Sequence, residues 1–377
     1  MQNLNFTIEA KDSNARAGSM YINGNKISTP TFMPVATRGA IKGLPMNLMK
    51  EIDNDFILCN TYHLLLKPGS KLIKSLGGIH KYIDWDNFIL TDSGGFQAWS
   101  LGARQTDEGI HFKSVYDGRN FLMTPEISIR TQEEIGSNIA MVLDSLVSMD
   151  SSNDELDNSI NRTYEWSTIA KNVHSNDKQS LFGIIQGGIS LEHREKSIKN
   201  ITGISFDGYA IGGLSVGEDI SDRVKVVDLC VSLINETKPI YVMGLGDISG
   251  MLDLIELGVD MFDCVWPTRL ARHGKIIDGA NYLNIKNEKY KNDPKPLTDN
   301  CNCITCISYS RSYINHLYRN EETSSWPYLV YHNLYQTKEI IHNAREAILL
   351  GTFKQYKEKL KYANKIKSSE DYYSNLI

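Results

Sequence analysis

FILTDSGG, from Phe88 to Gly95, and IAMVLDS, from Ile139 to Ser145, are two apolar runs that each stop on an aspartate. A third stretch, VDMFDCVWPTR from Val259 to Arg269, places Asp263 just past another short apolar segment. Strands buried on both faces read as continuous apolar runs, and a carboxylate at the end of one is costly unless something uses it. Three such ends predict a site that gathers carboxylates at one rim of a parallel sheet. Paired carboxylates of this kind can attack a glycosidic carbon and move a proton.

Working outward, further short apolar runs lead into glycine: LFGIIQGG (Leu181 to Gly188), YAIGGLSVGE (Tyr209 to Glu218) and IYVMGLGD (Ile240 to Asp247). Helical patterns lie between them. Glu126 to Gly136 follows Thr124-Pro125, a good cap and first-turn pair. Asp219 to Asn235 has apolar residues at helical spacing, and Ile248 to Gly258 ends on glycine, a common helix stop. Six strand candidates alternating with helices predict an α/β protein with an eight-stranded (β/α) barrel. A doubly wound open sheet is the alternative, weakened because no G-x-G-x-x-G follows the first strand. Barrel chemistry sits at the C-terminal strand ends, where this chain has Asp92, Asp144, Gln186, Gly212-Gly213, Met243-Gly244 and Asp263. Residues 338–365 form a lysine-rich helical pattern, expected to pack on Ile340, Ala344, Ile348 and Leu349, with frayed residues after Ser368.

The 377 residues suffice for one large catalytic unit, 1–377, with a small subdomain within it. With 41% hydrophobic and 23% charged residues, the composition is that of an ordinary folded protein. The net charge of −5 neither demands nor excludes a nucleic-acid partner, because position decides. Arg269 to Lys295 runs the other way, with seven basic residues against three acidic ones. MQNLNFTIEAKD has no apolar core of a signal peptide, and no stretch approaches the ~20 apolar residues of a membrane span. A cytoplasmic protein with no membrane partner is expected.

Cys301-Asn302-Cys303-Ile304-Thr305-Cys306 is C-x-C-x-x-C, three thiols too close to pair internally but able to wrap a tetrahedral ion. His332 can supply the fourth ligand, with His316 as competitor. Three cysteines and one histidine form a closed, structural zinc set, one ion per chain. The metal is expected to hold a subdomain spanning roughly 278–334. Cys59, Cys230 and Cys264 stand alone, which is not a disulfide framework.

Seven stretches in one order carry a resemblance: NTYHL from Asn60, TDSGGFQ from Thr91, IIQGG from Ile184, AIGGLSVGE from Ala210, MGLGD from Met243, DMFDCVWPTRLARHG from Asp260, and the cysteine set with its histidine. Together they make the chain similar to the tRNA-guanine transglycosylases. That family is built on a β/α barrel with a zinc-bearing insertion. It exchanges the wobble guanine, position 34, of tRNAs with G-U-N anticodons (Asp, Asn, His, Tyr) for a free 7-deazaguanine base. The resemblance implies Asp263 as nucleophile, forming a covalent RNA–enzyme intermediate, and Asp92 as general acid/base. Asp144 and Gln186 would read the edge of the base, with Ser93, Gly94, Gly95, Gly213 and Leu214 around it. Phe96 and Met243 would sandwich its ring, and Asn60 would brace the hydrogen bonds. The loop Gly244, Leu245, Gly246, Asp247, Ile248, Ser249, Gly250 and the segment Thr268, Arg269, Leu270, Ala271, Arg272 would contact tRNA. Bacterial members are homodimers, so a second copy is an expected partner.

Three positions depart from the family's pattern. Phe96 replaces a tyrosine and keeps the flat face, and Ser215 replaces an alanine. Leu146 replaces a cysteine beside the 7-substituent of the incoming base; members that take queuine carry an apolar residue there, which favours queuine over 7-aminomethyl-7-deazaguanine. Two rival functions use the same residues differently. A nucleoside or glycoside hydrolase would give water the acceptor's place, and a non-catalytic tRNA-binding subunit would have no use for both Asp92 and Asp263. His63 and His273 lie inside motifs without an assigned chemistry.

Overall fold

The computed structural model describes residues 4–214 and 217–367. Ser215 and the residues after Ser368, on which two sequence expectations fall, lie outside the described residues. Eight parallel strands close into a barrel: β1 (Thr31–Ala36), β2 (Phe56–Cys59), β3 (Phe88–Thr91), β4 (Ile139–Met141), β5 (Ser180–Ile185), β6 (Gly208–Ile211), β7 (Ile240–Val242) and β8 (Met261–Cys264). Each pairs with its neighbour in sequence, and β8 closes on β1 in the register Met261 to Thr31, Phe262 to Phe32. β2 through β7 are buried along their whole length, as the apolar runs require. The barrel therefore replaces the open-sheet alternative.

The helices follow their signals closely. Thr124 accepts a hydrogen bond from the Ile127 N–H and opens the helix Pro125–Ile135, which Gly136 ends in the left-handed region. Ile220–Leu233 and Ile248–Leu257 occupy the other two patterns, the latter ended by Gly258. The lysine-rich tail is a correction. It is not one helix: Ser325–Leu349 and Phe353–Lys367 are separated by Gly351, whose φ of +67° breaks the path. Ile340, Ala344 and Ile348 are buried as expected, but Leu349 is exposed at the helix end.

Three smaller antiparallel sheets surround the barrel. Leu4–Asp12, Ala15–Ile22 and Asn25–Thr29 lie at its N-terminal end, tied there by the buried pair of Arg16 and Asp260, whose Nε–Oδ1 distance is 2.9 Å. Arg104–Thr106, Gly109–Lys113 and Asn120–Met123 form an insertion after β3, packed over Tyr62, Leu143 and Trp166 as a second apolar cluster. The hairpin Lys275–Asp278 and Asn281–Asn284 follows β8 and packs on the helix Ser325–Leu349. Among the described residues no helix is long and apolar enough to cross a membrane.

Candidate active site

β3 ends at Thr91, and Asp92 turns inward at the barrel mouth. Gly94, at φ +82°, lets the chain reverse into the short helix Gly95–Ser100; a Cβ there would lie 2.9 Å from the Tyr62 nitrogen. Asp92 Oδ1 accepts the N–H groups of Thr61 at 2.9 Å and Gly94 at 3.1 Å, and Oδ2 accepts from Asn60 Nδ2 at 2.5 Å. Asn60 also caps the helix Thr61–Leu66 by accepting the His63 N–H at 3.0 Å. One side chain thus fixes the start of that helix and the orientation of Asp92. Burial pushes the Asp92 carboxyl up to about 7; the hydrogen bond from Thr61 opposes the rise, and the charge of Asp263 adds to it.

Asp263 lies on β8, facing the same space. Its Oδ1 accepts from the Tyr241 hydroxyl at 2.5 Å and from the Gly244 N–H at 2.8 Å. Burial raises its pKa, while these two hydrogen bonds pull it down. Burial, with Asp263 beside it, also holds the Tyr241 hydroxyl well above its ordinary pKa, so the phenol stays a donor.

Asp144 follows β4 and accepts from Gln186 Nε2 at 2.6 Å and from Ser93 Oγ at 3.4 Å. Burial pushes its carboxyl up to about 6, against the hydrogen bond from Gln186. The Gln186 amide lies close against Gly212 and Gly213; a Cβ at Gly212 would come within 2.7 Å of its Nε2, and one at Gly213 would collide with its Oε1. This is why two glycines end β6. Arg194, fully buried, holds the turn by donating to the carbonyls of Ile185 at 2.7 Å, Gly188 at 2.9 Å and Gly212 at 2.9 Å.

A cavity of about 260 Å³ brings these groups together, with Asp92, Asp144 and Asp263 in its wall. Ser93, Gly94, Phe96, Gly213, Leu214, Met243 and Gly244 line it as well. Phe96 is 47% exposed, a flat apolar face at the entrance. Asn60, Gly95 and Gln186 are buried behind the wall. Leu146 also lines the cavity, and its backbone is clamped by Gln105: Nε2 donates to the Leu146 carbonyl at 2.6 Å and Oε1 accepts its N–H at 3.0 Å. A protonatable carboxyl and a second carboxylate facing one apolar-walled space can cleave and remake a glycosidic bond.

Sequence reasoning missed Tyr241, Gln105, Trp99, Val35 and Leu58. Tyr241 was recoverable, because it shares strand parity with Met243 and so faces inward with it. Gln105 carries no local signal, since its role depends on a sheet packed from elsewhere. The two expected RNA segments are only partly available. Leu245, Ile248, Thr268, Leu270 and Ala271 are buried, whereas Arg269 is exposed and Arg272 half-buried. Asp247 caps the helix Ile248–Leu257 by accepting the Gly250 N–H at 2.7 Å. His63 pairs with the Tyr116 hydroxyl at 3.0 Å, and His273 is exposed.

Cys301, Cys303, Cys306 and His332 are all buried, with their ligand atoms within 4.8 Å of one another. His332 Nδ1 lies 3.7 Å from the Cys301 sulfur and 3.3 Å from those of Cys303 and Cys306. Four such donors fit around one ion at ordinary metal–ligand distances and leave no open position. Nε2 of His332 lies 3.0 Å from the carbonyl of Ile277, a contact that fixes the ring and leaves Nδ1 for the metal. His316 is exposed beside Asn320 and takes no part.

Comparison with known proteins places the chain in one family. The family model described as queuine tRNA-ribosyltransferase matches residues 11–365. A queuine tRNA-ribosyltransferase of Fusobacterium nucleatum is 43% identical over 361 residues, covering 94% of this chain and 97% of the relative. Those of Helicobacter pylori and Idiomarina loihiensis are 42% and 39% identical, each across 94% of this chain and 97% and 95% of their own lengths.

Proposed function

The chain belongs to the queuine tRNA-ribosyltransferase family, a family of pentosyltransferases, and on that premise we propose that it exchanges guanine 34 of G-U-N tRNAs for a 7-deazaguanine base. The observation that carries the reading is the meeting of Asp92 and Asp263 in one cavity, with the Asp92 carboxyl raised to about 7. Asp263 attacks the anomeric carbon of the target nucleotide; the bond to guanine N9 breaks, and Asp92 delivers a proton to the departing base. The incoming base then gives its N9 proton to Asp92, attacks the same carbon and displaces Asp263. Two inversions retain the configuration. The target base must leave its stack to reach the cavity, at a cost of roughly a few kcal/mol that RNA binding offsets.

In this reading Asp144 and Gln186 recognise the base edge, with Ser93, Gly94, Gly95, Gly213 and Leu214 closing around it. Phe96 and Met243 cover its ring. Asn60 braces Asp92. RNA lies along Gly244–Gly250 and Thr268–Arg272, and two copies of the chain form the working dimer. The ion held by the cysteines is zinc; it keeps the region of roughly 278–334 folded within a single catalytic unit and takes no part in the chemistry. Leu146, an apolar wall held by Gln105, supports queuine as the preferred base.

Guanine release from a transcribed G-U-N tRNA, on addition of either base, tests the reading. Exchange by the parent and none by Asp263→Asn supports it, and the faster base settles the preference. Guanine lost to water without an added base would favour a hydrolase, and RNA binding without any covalent adduct would favour a binding subunit.

A further inference from the structure

Around the barrel the order runs β8, β1, β2, β3, so Asp263 on β8 and Asp92 after β3 stand at the two ends of one arc of the rim. The rim between them is basic. Arg38 lies in the turn that leaves β1, where the Gly39 N–H donates to the Ala36 carbonyl at 2.8 Å. His63 and Lys67 follow β2 one helical turn apart, the Lys67 N–H donating to the His63 carbonyl at 2.9 Å. The His63 N–H donates to Asn60 Oδ1 at 3.0 Å, and Asn60 Nδ2 donates to Asp92 at 2.5 Å, so this turn is tied to the acid/base carboxyl itself. Tyr116, from the insertion after β3, gathers the three. Its hydroxyl lies 3.0 Å from His63 Nδ1, and its ring centre is 5.3 Å from the Arg38 guanidinium carbon and 5.8 Å from Lys67 Nζ.

Arg38 and Lys67 are exposed, and among the described residues neither has a carboxylate at ion-pairing distance. Asp117, next to Tyr116, is taken by Arg119, whose Nε lies 2.7 Å from its Oδ2. Burial lowers the His63 pKa and the Arg38 charge lowers it further, so at neutral pH the imidazole offsets neither cation. Two like charges drawn to one ring repel each other until an anion joins them. A strand that delivers a nucleotide between Asp263 and Asp92 has to cross this arc, while the three carboxylates below repel its phosphates. We propose that Arg38 and Lys67, set on the ring of Tyr116, hold the sugar–phosphate backbone of the RNA beside the target nucleotide, in addition to the segment Thr268–Arg272. The inference rests on the reading above and adds a contact that positions the strand without reading its sequence.

The experiment measures equilibrium binding of an anticodon-loop RNA hairpin across a salt series, beside guanine exchange, for the parent, Arg38→Ala, Lys67→Ala and the double variant. Arg119→Ala, which removes a neighbouring exposed cation already paired with Asp117, is the control. Each single variant should lower the slope of log affinity against log salt by about one, and the double variant should bind roughly tenfold more weakly at low salt. Arg119→Ala should bind as the parent does, and no variant should change the KM for the free base or the melting temperature. Hairpins with one neutral methylphosphonate beside the target locate the contact: the replacement that weakens the parent should cost the double variant nothing further. A parent-like salt slope in the double variant, or neutral linkages that cost it as much as they cost the parent, overturns the inference and leaves the exchange reaction standing. A parent that binds the hairpin with these charge effects yet exchanges no guanine overturns the reading beneath and leaves the backbone contact standing.

Discussion

Tyr241 donates its hydroxyl to Oδ1 of Asp263 across 2.5 Å, and the Gly244 N–H meets the same oxygen at 2.8 Å. One carboxylate oxygen is thereby anchored from two sides, which in the proposed reaction leaves Oδ2 for the substrate. Tyr241→Phe keeps the ring and removes the anchor. The expected result is a fall in kcat of about tenfold, the worth of one charge-assisted hydrogen bond, with little change in the KM for RNA. The hydrogen bond also lowers the Asp263 pKa, so the acidic limb of the pH profile should move up in the variant. An unchanged profile and rate would remove Tyr241 from the mechanism.

In the proposed reaction Asp92 must hold a proton to release guanine and must lack one to accept the incoming base. With its pKa near 7, covalent RNA–enzyme formation should fall about tenfold per pH unit above neutrality. Asn60 lowers that pKa through its hydrogen bond, so Asn60→Ala should carry the alkaline limb upward. Single-turnover guanine release measured from about pH 6 to about pH 9 checks both points. A release rate independent of pH in that range would assign the proton to another group.

The three carboxylates were legible because each ends an apolar run, a pattern that burial alone does not produce. The barrel was legible for the same reason in six of its strands. β1 and β2 were not recognised. Pro34 interrupts β1 with a residue that has no N–H to give a ladder, and β2 is only four residues long before Asn60 opens a helix. Tyr241 resembles any strand tyrosine until Asp263 is seen opposite, and these residues are 22 positions apart. Gln105 meets Leu146 across 41 positions, so only the packed sheet reveals it. The metal ligands were easier, since three of the four lie within six residues and the choice between His332 and His316 alone needed the fold.

Asp144 carries a pH-dependent stability penalty. Its carboxyl rises from an ordinary 3.8 to about 6 on folding because it is buried. The native state therefore holds the proton more tightly than the unfolded chain. The stabilising contribution is fully present below about pH 4 and is lost as pH rises through about 6, roughly 3 kcal/mol in all. Asp144→Asn retains an acceptor for Gln186 and removes the buried charge. Its melting temperature should exceed the parent's at pH 8 and approach it at pH 4, while guanine recognition is lost. Equal melting curves at both values would place the carboxyl's pKa near its ordinary one.

The metal set joins elements far apart in sequence. Cys301, Cys303 and Cys306 grip His332 on the helix Ser325–Leu349, and that residue's other ring nitrogen lies against Ile277 in the hairpin. Without a metal, the three thiols and the imidazole are left buried together with one another, two backbone N–H groups and the Ile277 carbonyl as their partners, a weaker link than four metal–ligand bonds. Chelation, or Cys303→Ala, should release one zinc per chain and lower Tm by roughly 5 °C or more. Limited proteolysis should then open the chain between residues 281 and 325 before the barrel. Metal analysis beside the digestion checks this; a parent-like digest of the metal-free protein would show that packing alone holds the region.

Arg269 and Arg272 are the side chains that the segment after β8 presents outside the core, because Thr268, Leu270 and Ala271 are buried. They lie one helical turn apart on Trp266–Arg272, at the end of the strand that carries Asp263. A phosphate strand laid there would bring its nucleotide toward the cavity. If each arginine neutralises one phosphate, Arg269→Ala should raise the KM for tRNA and reduce the slope of log affinity against log salt by about one. Arg272→Ala should do the same with a smaller effect on approach, since that side chain is already partly desolvated. The KM for the free base should not move in either variant, because among the described residues no arginine lines the cavity. A loss that is the same at low and high salt would mean that the arginines read a base edge by hydrogen bonding and do not act on the backbone charge.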